Sequence, residues 1–348
     1  MKMLIQNLLR AGVFFSSFAI GAAAFVLAPA QAAAVETTYP LTLSNCGRTI
    51  VVQRAPTRTV SIGQSSTEIL YLLGLSDKVV GTALWVSPVL KQFEAVNAGI
   101  DRLADNDPSF ESVLSKKPDL VTVQFQWQVG PEGVVAKPEQ FEELNIPVYT
   151  SPSDCADKEN SAASDGVRHQ PFTMDQVYKE IRELAMIYNV QAKGEELVAD
   201  LQRREAAARA KIASAKGKLS AVFWFSSAAG ADPYVAGRNG APGYIMSALG
   251  IDNIIKTDDE WPTVGWETIA KADPSIIVAG AMDRRRYPLD SLQAKLDFLK
   301  NDPVASLMPA VRQGHVFSMD AQAMNPTIRT IDGIEALAND IAHAGLAQ

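Results

Sequence analysis

Histidine and cysteine are scarce in this sequence, which has three histidines and two cysteines in 348 residues. None of His169, His315 and His343 stands at ligand spacing from a cysteine, aspartate or glutamate, so a site for bare zinc or manganese is not expected. The G-x-S-x-G, H-E-x-x-H, P-loop and G-x-G-x-x-G motifs are also missing, and each of these carries a known catalytic or nucleotide-binding arrangement. No catalytic residue is therefore predicted.

Positive charge is in deficit, with 32 lysines and arginines against 39 acids and a formal charge of −7. Such a balance argues against nucleic acid as a partner, because its binding depends on Lys and Arg at the phosphates.

Lys2 and Arg10 precede an apolar stretch at 11–28 and small residues with A-x-A spacing at 30–34. This order predicts a secretory signal peptide over residues 1–34, with a retained membrane anchor as the alternative. We expect an exported chain without a lipid anchor, since no cysteine lies at the cleavage region.

The two cysteines, Cys46 and Cys155, lie among turn-forming residues in the first half of the chain. An even count in an exported protein is compatible with one disulfide bond. No C-x-x-C motif and no neighbouring histidine pair supports a metal or redox site instead. A structural disulfide is the favoured interpretation.

Short apolar segments alternate with helical ones after the predicted signal peptide. The alternation across residues 39–52 is typical of a β-hairpin, and an apolar helical face at 66–73 ends at Gly74. Buried strands are predicted at 59–62, 79–81, 118–123 and 146–149. Strands that alternate with helices imply a parallel sheet covered on both faces. Residues 35–172 are therefore predicted to form an N-terminal α/β lobe.

From residue 173 the pattern becomes helical. An apolar stripe marks 174–188, and 191–214 is rich in Ala, Glu, Lys and Arg, which are good helix formers. A helix of this second length would span roughly 35 Å and is interpreted as a strut. A strand at 221–225 then opens a second lobe, so we predict a helical connection at 173–216 and a C-terminal α/β lobe at 217–348.

A sequence unit recurs in the two lobes. Glu111 is followed after seven residues by Pro118 and an apolar strand, and Glu267 is followed in the same way by Pro274. Both glutamates fall in the first turn of a predicted helix, where the helix dipole stabilises negative charge, and this alone would explain them. Their repetition favours a function, because two separated surface charges suit a partner that is recognised and then released.

At this point the sequence resembles the substrate-binding proteins of iron–siderophore, haem and cobalamin ABC importers. The resemblance lies in residues 65–74, the two Glu-x-x-x-x-x-x-Pro units, the long helix and residues 314–317. It implies an α/β fold of two Rossmann-like lobes joined by a single long α-helix, with the ligand cleft between the lobes. It also implies a monomeric periplasmic binding protein, not an enzyme, that serves an ABC permease dimer with a cytoplasmic ATPase. In that family one glutamate per lobe docks onto permease arginines, and the matching positions here are Glu111 and Glu267.

The cleft residues are predicted from the strand ends, because ligands of doubly wound sheets bind outside the carboxyl ends of the strands. Guanidinium groups suit anionic oxygen ligands, and aromatic faces suit a partly apolar organic shell. The alternatives are a solvated loop for the arginine run and core packing for Trp127. The candidate side chains are Trp85, Phe125, Trp127, Arg238, Trp261, Arg284, Arg285, Arg286 and Tyr287.

The resemblance favours an iron–siderophore complex as the ligand, without a resident cofactor or a metal bound directly by the protein. Arg238 and the Asp283–Arg284 pair match ligand-binding positions of the catecholate-siderophore members. A third arginine of those members is absent, and Phe125 and Trp127 stand in its place, which is more like the hydroxamate-binding members. Haem or a corrinoid in the same fold, and an exported enzyme, are the alternatives.

Overall fold

The computed structural model describes residues 36–160, 166–213, 219–228, 232–284 and 286–347. The predicted signal peptide and Arg285 lie outside these ranges. Among the helices of the described ranges, none is both long and apolar enough to cross a membrane.

The first lobe opens with the predicted hairpin, β1 (Leu41–Asn45) and β2 (Arg48–Val52), paired antiparallel around Cys46 and Gly47. Five parallel strands follow in the sheet order β5-β4-β3-β6-β7, and a short hairpin, β8 and β9, ends the lobe. The elements after β2 are β3 (Thr59–Ile62), α1 (Gln64–Leu72), β4 (Val79–Ala83), α2 (Glu94–Ala98), β5 (Arg102–Ala104), α3 (Phe110–Ser115), β6 (Leu120–Val123), α4 (Pro138–Glu142), β7 (Val148–Thr150), β8 (Lys158–Glu159) and β9 (Val167–Arg168).

The central strands are buried on both faces, as the apolar runs predict. Every residue of β3 and β6 is buried. Gly63 then allows a sharp turn into α1 with φ +137°, and a Cβ at this position would lie 2.2 Å from the Cβ of Gln124. Only glycine fits such a close approach. The carboxyl ends of β3 and β6 are therefore brought close together here.

Two helices connect the lobes, α5 (Met174–Ile187) and α6 (Gln191–Lys211). Helix α5 buries Val177, Ile181 and Leu184, and its Glu183 accepts a hydrogen bond from Tyr149 in the first lobe at 2.8 Å. The long helix expected from the sequence is α6, with 21 residues. Side chains of α6 contact the second lobe.

The second lobe has a sheet in the order β11-β10-β13-β14, with β12 also paired to β10. All pairings are parallel except that of β10 with β11. Its last helix packs against α6, and Arg204 of α6 donates to Asp332 at 2.5 Å and to Glu335 at 2.6 Å. The elements are β10 (Ser220–Ser226), β11 (Tyr234–Val235), α7 (Ala241–Ala248), β12 (Asp252–Asn253), α8 (Trp266–Ala272), β13 (Ile276–Ala281), α9 (Leu292–Asn301), α10 (Pro309–Arg312), β14 (Val316–Asp320) and α11 (Thr330–His343).

One apolar core runs through both lobes. It joins Ile69 and Leu70 of α1 to Ile181 of α5, Leu201 of α6 and Ile334 of α11. A smaller apolar cluster covers the outer face of each sheet. The predicted fold class, two α/β lobes joined by a long helix, is therefore confirmed.

Candidate ligand cleft and docking surface

The carboxyl ends of the two sheets face each other across the junction of the lobes. Ser153 follows β7 and donates a hydrogen bond to the Pro326 carbonyl at 3.0 Å. Gln322 follows β14 and its side-chain amide donates to Oε1 of Gln124, which follows β6, at 3.4 Å. Strand ends that meet in this way form the crevice where α/β proteins bind ligands.

A buried ion pair closes one part of this junction. Arg329 of the second lobe donates to Glu68 of α1 through Nε at 2.8 Å, to Asp320 at 2.7 Å and to the Pro88 carbonyl at 2.7 Å. Burial raises the pKa of Glu68, and the hydrogen bond and charge of Arg329 act against that rise. Breaking a buried pair leaves an uncompensated charge, so this contact fixes the relative orientation of the lobes.

The candidate first-lobe wall is the predicted pair Phe125 and Trp127, which follows β6. Their rings stack with centroids 6.3 Å apart and planes inclined by 23°. Trp127 is 41% exposed, so core packing, the alternative for this residue, is wrong. The pair offers an apolar platform at the strand ends.

Trp85, unlike Trp127, is buried. Its indole N–H donates to Thr82 at 3.2 Å, and the guanidinium of Arg102 lies 5.1 Å from the ring centroid. With 4% of its surface exposed, Trp85 has little area to offer a ligand.

The candidate second-lobe wall contains two aromatic pairs. Trp261 packs against Phe225 with ring centroids 4.7 Å apart, and Tyr287 lies 6.1 Å from Tyr234. Phe225 and Tyr234 were not among the predicted cleft residues, although Phe225 lies at the carboxyl end of β10. That position relative to the strand end is the signal that could have identified it.

The predicted arginines have different surroundings. Arg238 is exposed and forms an ion pair with Asp258 at 2.5 Å, and its hydrogen bond holds the pKa of Asp258 below the usual range. Arg284 is half-buried at the lobe junction, where its backbone N–H donates to the Val86 carbonyl of the first lobe at 3.3 Å. Burial lowers the pKa of Arg284, and Asp290 acts against that shift.

Arg286, the last arginine of the run, is exposed. Its guanidinium lies 5.6 Å from the centroid of the Tyr287 ring. Arg285 lies outside the described residues. Contact with a ligand stays a prediction for all of these cleft side chains.

Glu111 and Glu267 occupy matching positions in the two lobes. Glu111 lies in the first turn of α3, which is capped by a hydrogen bond from the Ser112 N–H to the Ser109 hydroxyl at 3.1 Å. Glu267 lies in the first turn of α8. Both are exposed, and neither forms an ion pair with another described side chain. The two carboxylates are therefore available to a partner, and docking itself stays a prediction.

The predicted disulfide bond is confirmed, with Cys46 and Cys155 joined at an S–S distance of 2.06 Å. It ties the β1–β2 turn to the loop after β7. Asn45 reinforces the tie, because its side chain exchanges two hydrogen bonds of 2.7 Å with the backbone of Thr150.

Within the described ranges, no group of three His, Cys, Asp or Glu side chains is arranged to hold a metal ion.

Two α/β lobes with a cleft at their facing strand ends define a bilobal solute-binding protein, the class that serves ABC importers. The family model described as "Periplasmic binding protein" matches residues 60–323. The chain belongs to this family, and the resemblance seen in the sequence is confirmed. Since the family consists of binding proteins, the chain is a binding protein and not an enzyme.

Individual relatives are distant in sequence. An uncharacterized ABC transporter substrate-binding lipoprotein of Bacillus subtilis is 24% identical over 310 residues, which cover 87% of this chain and 86% of the relative. A vitamin B12-binding protein of Vibrio parahaemolyticus is 23% identical, with 80% and 86% covered. A solved structure from an ABC-type Fe3+-hydroxamate transport system of Saccharomonospora viridis has a TM-score of 0.70 and 23% identity, with 87% and 99% covered. At this level of identity, the similarities support the fold and leave the ligand of this chain open.

Proposed function

We propose that this protein binds a ferric siderophore complex in the periplasm and delivers it to the permease of an ABC importer. The observation that supports this most is the pair of aromatic walls at the strand ends, Phe125 with Trp127 in the first lobe and Trp261 with Phe225 in the second. Aromatic faces bury much area with few rotatable bonds, which suits a large organic shell around a metal ion.

A hydroxamate-type complex fits this cleft better than a catecholate. Ferric catecholates carry a high negative charge, which would require several unpaired arginines. Arg238 already has an anionic partner in Asp258, and the third arginine expected of the catecholate binders is replaced by Phe125 and Trp127. The structural similarity to a protein of an Fe3+-hydroxamate transport system agrees with this choice.

A corrinoid is the second candidate. A flat macrocycle also suits aromatic faces, and four curated relatives of this chain are vitamin B12-binding proteins. Haem, the remaining alternative, would place two carboxylates in the cleft and would depend more strongly on Arg284 and Arg286.

Delivery is assigned to Glu111 and Glu267. One exposed carboxylate on each lobe can pair with arginines of the permease, and exposed ion pairs guide association without slowing release. Because the two charges lie on different lobes, a permease that contacts both would recognise the separation of the lobes as well as the charge. In this proposal the monomer is exported by its signal peptide, and the ATPase stays on the cytoplasmic side.

The ligand is tested by tryptophan-fluorescence titration of the mature protein with ferrioxamine B, ferric enterobactin, ferric citrate, haemin and cyanocobalamin. We expect saturable quenching by ferrioxamine B. Trp127→Ala should weaken its affinity by roughly tenfold or more, about 1.4 kcal/mol, because a stacking face is lost. Trp266→Phe, a change in the core of the second lobe, serves as the control with unchanged affinity. Saturation by cyanocobalamin or haemin alone would replace the siderophore, and no saturation by any probe would contradict the proposed function.

A further inference from the structure

A segment at the end of the first lobe reaches across to the second. We call it the clasp, and it comprises residues 154–160 and 166–172. Its two short strands pair with each other through Lys158 and Arg168. Val167 then forms an antiparallel bridge with Asp259 of the second lobe, and the Glu260 N–H donates to the Gly166 carbonyl at 3.1 Å. The clasp is thus held by the backbone of both lobes.

Four charged side chains are buried where the clasp meets the second lobe. Lys158 Nζ lies 2.7 Å from Asp154 Oδ1 and 3.0 Å from Glu260 Oε2. Arg168 Nη2 lies 3.3 Å from the other Glu260 oxygen and donates to the Ser153 carbonyl at 2.8 Å. Their side chains are 0–7% exposed. Burial alone would lower the pKa of Lys158, but the charges of Asp154 and Glu260 raise it, so the lysine is the shared cation of two carboxylates from different lobes.

Each of those carboxylates is attached to one wall of the candidate cleft. Asp154 Oδ2 accepts a hydrogen bond of 2.6 Å from the backbone N–H of Gln126, the residue between Phe125 and Trp127. Glu260 directly precedes Trp261. Lys158 therefore joins the peptide that carries the first wall to the peptide that carries the second.

The same cluster extends to the predicted cleft arginine. The Asn239 amide donates to the Arg168 carbonyl at 2.6 Å and to Asp258 Oδ1 at 2.9 Å. Asp258 in turn holds Arg238. Aromatic walls and arginine thus depend on one buried network that starts at the clasp.

We propose that Lys158 is a positioning residue of the ligand cleft: by bridging Asp154 and Glu260 it sets the distance between the two aromatic walls. Without the lysine, Asp154 would lose its ion-pair partner and Glu260 would keep only Arg168 at 3.3 Å. A buried carboxylate without its partner is unfavourable, and its repulsion from Glu260 would separate the loops that carry the walls. The expected effect of Lys158 on ligand affinity rests on the proposed function, whereas its expected effect on the distance between the walls does not.

The wall geometry is tested by 19F NMR of the mature protein labelled with 5-fluorotryptophan, with each resonance assigned by a Trp→Phe change. Lys158→Met keeps the length of the side chain and removes its charge. We expect the resonances of Trp127 and Trp261 to shift or broaden, while those of Trp224 and Trp266, which pack together in the core of the second lobe, keep their positions. The milder Glu260→Gln is measured in parallel in case Lys158→Met does not fold, and it should move the same two resonances.

Arg204→Met is the matched control, because Arg204 is also one cation shared by two carboxylates, Asp332 and Glu335, but joins α6 to α11. It should leave the resonances of Trp127 and Trp261 unchanged. The proposal is overturned if Lys158→Met and Glu260→Gln leave these two resonances in place, or if they move all assigned resonances equally, as a general loosening would.

Affinity is measured on the same variants with ferrioxamine B and cyanocobalamin. We expect Lys158→Met to weaken the binding of whichever probe saturates the wild type by at least about tenfold, and Arg204→Met to change it by less than about twofold. If neither probe saturates the wild type, the proposed ligand is wrong while the NMR result still decides the role of Lys158. Altered resonances together with unchanged affinity would refute the part of the proposal that concerns the ligand.

Discussion

At the scale of single residues, Glu180 is the most unusual group outside the cleft. It lies fully buried on α5 and accepts hydrogen bonds from Ser66 at 2.7 Å and Ser151 at 2.5 Å. Burial raises the pKa of Glu180 to about 7, the two serine hydroxyls act against that rise, and the nearby Glu183 adds to it. A carboxyl of this kind titrates near neutrality and changes the stability of the protein as it does so.

The sign of the pH effect follows from the raised pKa. Below the usual pKa of 4.5, Glu180 is protonated in the native and unfolded states. Between pH 4.5 and about 7 only the unfolded state releases the proton, so the free energy of unfolding falls as the pH rises. The loss is complete above the native pKa and amounts to about 3 kcal/mol for a shift of this size.

Glu180→Gln should remove this loss. In urea denaturation the variant should gain stability relative to wild type between pH 4.5 and 8, by up to about 3 kcal/mol. Glu196→Gln, on the exposed face of α6, is the control and should follow the wild-type curve. A constant offset between Glu180→Gln and wild type across this range would show that Glu180 does not titrate there.

The cleft residues could be predicted from the sequence only to the extent that the ends of the strands could be predicted. Trp85 and Trp127 both follow a predicted strand, yet Trp85 is covered by Arg102 and Trp127 is exposed. The difference arises from the tertiary path of each loop, which the local sequence does not contain. Phe225 was missed because its apolar strand has the same pattern as core residues, and only its place at the carboxyl end of β10 distinguishes it.

At the scale of elements, the contact of α5 with α6 depends on a glycine. Gly194 lies in the first turn of α6, and a Cβ there would be 2.7 Å from the Cβ of Ala185 on α5. In the sequence, Gly194 is only an interruption in a predicted helix of residues with high helix propensity. The structure gives its reason, which is the close approach of the two helices.

Gly194→Ala should therefore destabilise the protein by about 1–3 kcal/mol through overpacking, although the higher helix propensity of alanine alone would stabilise α6 by about 1 kcal/mol. Adding Ala185→Gly should recover part of the loss, because it removes the methyl group that clashes. Thermal and urea unfolding of the single and double variants test this. A Gly194→Ala variant at least as stable as wild type would mean that the helices can separate without cost.

The helices and longer strands were largely predictable, since their periodicity is local. Strand β3 has the predicted bounds, and α6 ends at Lys211, close to the expected end. Strands β8 and β9 were not predicted, because each has only two residues, too few to show a periodic pattern, and Val167 also bridges to the distant Asp259. The clasp could therefore not be read from the sequence.

At the scale of the whole molecule, the two α/β lobes contribute jointly to the candidate cleft and to the proposed docking surface. Each lobe contributes strand ends to one cleft and one exposed glutamate to the surface. Two buried contacts, Glu68 with Arg329 and the cluster around Lys158, join the lobes, and the long helix α6 connects them. We infer a protein whose lobes change their separation little, so that Glu111 and Glu267 keep a defined spacing for the permease.

The most direct test of the account is uptake of the bound chelate by cells that carry the importer, with Glu111→Ala and Glu267→Ala combined in this protein. We predict that uptake falls by at least about tenfold while the dissociation constant of the purified double variant for its ligand stays within about twofold of wild type. Each single variant should lie in between, and Glu196→Ala should transport normally. Undiminished uptake by the double variant would contradict the account.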